Sequence, residues 1–289
     1  MNRIYELLRP LAPIMAKHYD LVLSLRYRQA LGRWIERKNP QSFYDKIFWL
    51  SCNTDTNEWS RLADKYLVRD FIKEKIGEEY LPQLYAVYDT AEEIDFTLLP
   101  KSFVIKTNNG CASNYLVRDK EKTNLEKIRK ELSYWLNFPY GEVTGQRHYT
   151  RIRPRIIAEE YMYQEKNPTA TLIDYKFYCF DGKPTYCNVI SERIFGTHKF
   201  MKHMYNMNWN PKPEFFSNKE TIKEIEKPKT FDEMKRIAEV LSQNFRYVRV
   251  DLYEINGKVK FGEMTFMPGM DMGWTEETQK EFGSLIKID

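Results

Sequence analysis

The chain has 289 residues, 42% of them hydrophobic and 15% aromatic, which is ample for one large domain or two lobes and argues against disorder. Forty-five basic residues against 41 acidic ones leave a net charge of +4, with both signs abundant, and this excludes a strongly basic nucleic-acid binder. Cys52, Cys111, Cys179 and Cys187 form no CxxC pair or zinc spacing and no run reaches 18 apolar residues, so a reduced, cytoplasmic protein without a transmembrane segment is expected.

Residues 1–38 read as helical, with Pro10 and Pro13 interrupting an early turn. Residues 19–37 suit a surface helix packed through Leu21, Leu25, Leu31 and Trp34. Arg26, Arg28, Arg33 and Arg37 admit a second reading, a basic amphipathic helix on the anionic inner face of a membrane beside membrane-bound polymer machinery. Asn39-Pro40 breaks the pattern. Helix, loop, helix and a short strand follow, with Lys65 and Arg69 on one helix face and Gly77 and Pro82 ending the helix.

Residues 102–117 read as a strand, a polar loop and a second strand. Gly110 can supply a positive φ so that backbone N–H groups turn toward an anion, and Lys106 and Ser113 stand at the same place. No GK[ST] follows, so this is not a Walker loop. A helix is expected to end near Pro139, before a mobile connection from Gly141 to Gly145. Residues 154–162 then form a buried strand ending in Glu159, Glu160, Tyr161 and Met162.

A hairpin over residues 172–193 turns at Asp181-Gly182, with Asp174, Lys176 and Tyr178 on one face and Arg193 ending the return strand. Residues 196–230 look irregular, and His198 and His203 show no ligand set. From Phe231 a helix leads to a second hairpin at Asn256-Gly257, with Arg249 and Asp251 sharing a face. Phe261, Glu263 and Thr265 share a face of the return strand. A two-residue loop would set Asp251 and Glu263 on opposite faces. A three-residue loop with Gly257 left-handed would bring them within about 7 Å on one face, and that form is predicted. Two such carboxylates without cysteine or histidine suit a hard ion such as magnesium, and Arg249 suits a phosphate or acyl-phosphate oxygen.

The spacing Arg249-x-Asp251, hairpin, Glu263-x-Thr265-x-x-Pro268-Gly269 resembles the metal-binding end of the ATP-grasp superfamily. The stretches NPQSFYDKIFWL, LADKYLVRDFIKEKIGEEYLPQLYAVYD, LPKSFVIKTNNG, PRIIAEEYM, DYKFYCFDGKP and FRYVRVDLYEINGKVKFGEMTFMPG look like the TupA-like ATP-grasp family of cell-surface polymer biosynthesis, over about residues 39–275. The chain departs from the family at Thr265, where many members carry asparagine, and at Cys111-Ala112-Ser113, where a Gly-Ser-Gly-like run is usual.

The resemblance implies an α+β fold with two lobes clasping ATP, residues 61–162 and 163–289, after a basic helical segment 1–60. It implies an ADP-forming carboxylate–amine ligase working through an acylphosphate, with a small-molecule or glycan carboxylate and an amine as substrates. Lys65, Lys106, Ser113, Glu159, Glu160, Tyr161, Met162, Asp174 and Lys176 would bind the nucleotide. Asp251 and Glu263 would hold magnesium, with manganese as the alternative. Arg249 would stabilise the developing charge and Arg193 would face substrate. A kinase on the same fold is the competing reading. A glycosyltransferase fits less well, since no Asp-x-Asp occurs. A catalytically silent nucleotide-binding module is the third alternative.

Overall fold

The computed structural model describes residues 3–167, 170–194, 197, 199–270 and 273–288, with side chains from residue 6 onward. His198 lies outside the described residues. The chain forms two compact units of interleaved segments. One comprises residues 1–26, 54–71 and 82–162, and the other residues 27–53, 72–81 and 163–289.

Helices α1 (Arg3–Leu8), α2 (Ala12–Met15) and α3 (Tyr19–Leu31) open the chain. The third stops at Leu31 rather than running to residue 37, because Gly32 takes a φ of +71° that only glycine adopts without strain. Its buried hydrophobic side chains are Val22, Leu23 and Tyr27, whereas Leu21 and Leu25 of the helix and Trp34 beyond it are about half exposed, the reverse of the packing expected from sequence. Next come α4 (Phe43–Asn53), α5 (Asn57–Ala63), α6 (Val68–Lys75) and β1 (Leu84–Tyr88). Lys65 lies in the turn between α5 and α6, so it shares no helix face with Arg69.

The first unit contains β1, β2 (Phe103–Thr107), β3 (Asn114–Val117), α7 (Leu125–Leu136), α8 (Tyr140–Thr144) and β4 (Ile156–Glu160). Its antiparallel sheet runs β1-β4-β2-β3. Alternation along the strands sends Phe103, Ile105, Val117, Ile156 and Ala158 into a core with Ile128, Leu132 and Leu136 of α7. The other face keeps Lys106 and Glu159. Residues 140–144 form α8 instead of a mobile connection. Gly141 is needed there because a Cβ would meet Thr150 at 2.5 Å.

The second unit holds β5 (Asp174–Phe180), β6 (Lys183–Ser191), β7 (Met201–Asn206), α9 (Phe231–Ser242), β8 (Tyr247–Ile255), β9 (Lys258–Thr265) and α10 (Glu276–Ser284). Its antiparallel sheet runs β7-β6-β5-β8-β9. The segment 196–230 thus supplies an edge strand, and Arg193 lies two residues past the end of β6. One face carries Phe177, Cys179, Val248 and Val250 and is covered by α9, through Phe231 stacked on Phe177 and Ala238 near Cys179. The opposite face is aromatic at one end, where Tyr178, Phe180 and Tyr247 pack on Phe43 of α4 and Phe282 of α10. Two residues further along the same strands it becomes charged.

Candidate active site

In the second unit the charged end of the sheet is a row of directly opposed residues. Met204, Asn188, Lys176, Asp251 and Glu263 line up across β7, β6, β5, β8 and β9. The hairpin that completes this row differs from the one expected. Ile255 pairs with Lys258, so the loop is the two-residue form, with Asn256 at φ +51° and Gly257 at +76°. Parity is instead reversed inside the strand. Leu252 pairs with Phe261 and Asp251 with Glu263, leaving Gly262 as the extra residue of a bulge. Phe261 is consequently buried with Leu252 and does not share the face of Glu263 and Thr265.

Glycine is required at the bulge. A Cβ at Gly262 would lie 2.9 Å from both the Asp251 carbonyl oxygen and the Tyr253 ring.

Arg249 ties the row together. Its Nε and Nη2 donate to the two oxygens of Asp251 at 2.6 and 2.7 Å, and Nη2 also donates to Glu263 Oε1 at 2.9 Å and Thr265 Oγ1 at 3.0 Å. Lys176 Nζ donates to Asp251 Oδ2 from the other side. Asp251 is 2% exposed. Burial alone would raise its carboxyl, but the charges of Arg249 and Lys176 outweigh burial and hold it below the usual carboxylate range. Burial would likewise lower Arg249, yet Asp251, Tyr178 and Glu263 keep its guanidinium charged. Asp174 accepts from Arg193 Nη2 at 2.9 Å and stands 4.0 Å from Lys176.

Asp251, Glu263 and the Thr265 hydroxyl are an all-oxygen donor set, in kind suited to a hard divalent cation, although both Asp251 oxygens accept from Arg249 and Lys176 here, so a cation would have to displace those donors. The Glu263 side chain is 45% exposed and open to a ligand. Among the described residues no group of three or more His, Cys, Asp or Glu stands together as a metal site. His203 is buried on β7 and pairs in register with Val189, away from this row.

The first unit carries a second polar cluster. Lys106 Nζ donates to Glu159 Oε1, and Arg69 Nη1 approaches the other oxygen at 3.9 Å. Glu160 stands on the opposite face, where Oε2 accepts the Gln83 N–H, so only the first carboxylate of the pair joins Lys106. Tyr161 accepts from Arg118 Nε at 2.8 Å, and Met162 is half-buried just past β4.

The β2–β3 loop is anchored rather than loose. Thr107 donates to the Ser113 hydroxyl at 2.7 Å, so Ser113 is buried at the loop base. Positive φ falls on Ala112 and not on Gly110, whose carbonyl accepts from Lys65 Nζ. Two residues of this anchoring were not predicted. Asp64 is fully buried, and its Oδ1 accepts the Tyr66 and Leu67 N–H groups as well as Asn108 Nδ2 at the loop base. Only its place next to Lys65 in the sequence could have drawn attention to it.

The model of the TupA-like ATP-grasp family matches residues 45–287. Among solved structures, the chain is similar to the D-alanine–D-alanine ligase of Bacillus anthracis complexed with ATP, with 14% identity and a TM-score of 0.48 over 89% of this chain and 69% of that one. The D-alanine–D-alanine ligase of Helicobacter pylori gives 14% identity and a TM-score of 0.45, covering 86% of this chain and 70% of that one. The ATP-grasp ligase PsnB complexed with its minimal precursor gives 12% and 0.39, covering 78% and 60%. The chain therefore spans about three fifths to seven tenths of the length of these proteins. No curated protein matches it.

Proposed function

The chain belongs to the TupA-like ATP-grasp family, and on that premise we propose that it is an ATP-dependent carboxylate–amine ligase serving the assembly of a cell-surface polysaccharide or peptide polymer. The observation that carries this reading is the row Lys176–Asp251–Glu263 with Arg249 bonded to both carboxylates. It gathers two cations, two anions and a hydroxyl on one sheet face, the charge complement that phosphoryl transfer needs.

In this reading a substrate carboxylate attacks the γ-phosphorus of ATP, the bond to the β-phosphate oxygen breaks, and ADP leaves an acylphosphate. An amine then attacks the acyl carbon, inorganic phosphate departs, and the nitrogen loses its proton to give the amide. Lys65, Lys106 and Lys176 would hold phosphate oxygens as point charges. Glu159 would meet the nucleoside, with Tyr161 and Met162 on the segment beside it. Arg249 would bear on the acylphosphate and on the tetrahedral oxyanion that follows. Asp251 and Glu263 would hold magnesium, which when bound supplies neutralisation of phosphate charge. Arg193, free to exchange Asp174 for a ligand, would receive the acidic substrate.

The test is incubation with Mg-ATP and panels of uronic or peptide carboxylates and amines, following ADP and new amide by mass spectrometry. One amide formed per ADP is the expected result. A phosphorylated hydroxyl as the only product would make the protein a kinase.

A further inference from the structure

The N-terminal helices are more apolar than their packing requires. Leu8, Ala12 and Met15, spaced i, i+4, i+7, pack against Phe138, Val143, Tyr134 and Tyr140. The adjacent stripe at the same spacing, Leu7, Leu11 and Ile14, is exposed, with Leu7 at 78%. The first half of α3 repeats the arrangement, burying Val22 and Leu23 and exposing Leu21 and Leu25. Six of the eleven large hydrophobic residues exposed among the described residues lie between Leu7 and Trp34. Scattered exposed leucines are ordinary, but repeated stripes on successive helices are not.

Charge concentrates in the same segment. The first 38 residues carry eight Arg and Lys against three Asp and Glu, a net of five positive charges where the whole chain nets +4. The remainder of the protein is therefore slightly acidic. Arg9 and Lys17 are exposed among the apolar stripes. The segment also precedes residue 45, where the family match begins, so the ligase machinery does not account for it.

We infer that residues 7–25 form a docking surface for an anionic lipid bilayer. The exposed leucines and isoleucine enter the interface between headgroups and acyl chains, while Arg9 and Lys17 meet lipid phosphates. No helix among the described residues is long and apolar enough to cross a membrane, so the segment lies on the surface. Binding of this kind is reversible and salt-sensitive, and it brings an enzyme to substrates carried in or near the membrane.

The test is co-sedimentation of the full chain with vesicles of phosphatidylcholine alone and of phosphatidylcholine with phosphatidylglycerol. Partition onto the anionic vesicles is expected to be at least about tenfold the stronger and to fall severalfold at about 0.5 M salt. Replacing Leu11, Ile14, Leu21 and Leu25 together by glutamine is expected to reduce it about tenfold while leaving the melting temperature unchanged. Should that variant melt early, Arg9→Gln with Lys17→Gln carries the test, again with about a tenfold loss expected. Equal binding to both vesicle types, no binding to either, or a concentration-dependent dimer abolished by the four-residue variant would overturn the inference, the last assigning the stripes to a second copy of the chain.

Discussion

Arg249 and Glu263 are joined through a nitrogen that does three tasks at once: Nη2 donates to Glu263, to Asp251 and to Thr265, at 2.9, 2.7 and 3.0 Å. Removing the guanidinium leaves Asp251 almost wholly buried beside a single cation, Lys176. Arg249→Ala is expected to destabilise the protein by about 3–5 kcal/mol, because an uncompensated buried charge is far costlier than the pair is worth. Arg249→Lys keeps the charge and loses the fork, so it should fold yet form ADP about a hundredfold more slowly. Urea unfolding and ADP release measure the two effects, and wild-type ADP release in the lysine variant would remove Arg249 from the chemistry.

Gly262→Ala probes the bulge. The added methyl collides with backbone at Asp251 and with the Tyr253 ring, so an overpacking loss of about 1–3 kcal/mol is expected. The larger effect should be on ADP formation, since any relaxation of the bulge re-aims Glu263. A variant that is destabilised but keeps its full rate would show that the directly opposed register is unnecessary.

Glu263→Gln separates ligand binding from folding. The side chain is 45% exposed, so stability without ligand should stay within about 0.5 kcal/mol of wild type. The gain in melting temperature that Mg-ATP gives wild type should vanish in the variant, and EDTA should abolish the gain in wild type. An undiminished gain in the variant would remove Glu263 from the cation site.

Asp64→Asn and Asp64→Ala should diverge. Burial pushes the Asp64 carboxyl up, against hydrogen bonds from Tyr66, Asn108 and Leu67. Asparagine keeps the acceptor that caps the turn and removes a buried charge whose other oxygen, Oδ2, has no hydrogen-bond partner among the described residues. It should melt at or above wild type. Alanine loses the cap and the hold on Asn108, a cost of about 2 kcal/mol. Equal melting temperatures for both variants would dissolve the role given to Asp64.

His148 sets an acid limit on the first unit. Burial, with Arg151 nearby, pushes its imidazole down from 6.5 to about 3. The unfolded chain therefore binds a proton between those values that the native state does not, so stability rises with pH across this window and is lost as pH falls through it. At pH 5 the loss is about 2 kcal/mol relative to pH 7. His203, lowered by burial in the second unit, adds with the same sign. The lowered carboxyl of Asp251 acts only below its ordinary 3.8. His148→Gln should flatten the slope of stability between pH 5 and 6.5, read from urea midpoints.

Much of the architecture was legible in the chain itself. Alternation and the Asp181-Gly182 and Asn256-Gly257 turns specify the hairpins, because φ and side-chain direction are local properties. The order of the lysines, the Arg249-x-Asp251 spacing and Glu263 identify the family, and the family match over residues 45–287 agrees. Local rules also misled. Leu21 and Leu25 have helix spacing but lie outward, since the contact went to Val22, Leu23 and Tyr27.

Sequence periodicity determined which residues could share a strand face, since each strand advances its side chains by a fixed two-residue repeat. Tertiary structure alone decided whether Asp251 and Glu263 would meet, because one extra residue reverses the parity of everything beyond it. Both the loop and the strand could have supplied that residue. The strand did so at Gly262, where the missing Cβ lets the backbone of Asp251 approach. The same packing decided that Lys106 would have Glu159 and not Glu160 as its partner, and that Asp251 would be buried between two cations. Arg249 and Asp251 are near neighbours on one strand, but the contacts of Lys106 with Glu159 and of Lys176 with Asp251 join distant segments, and no single stretch of the chain encodes them.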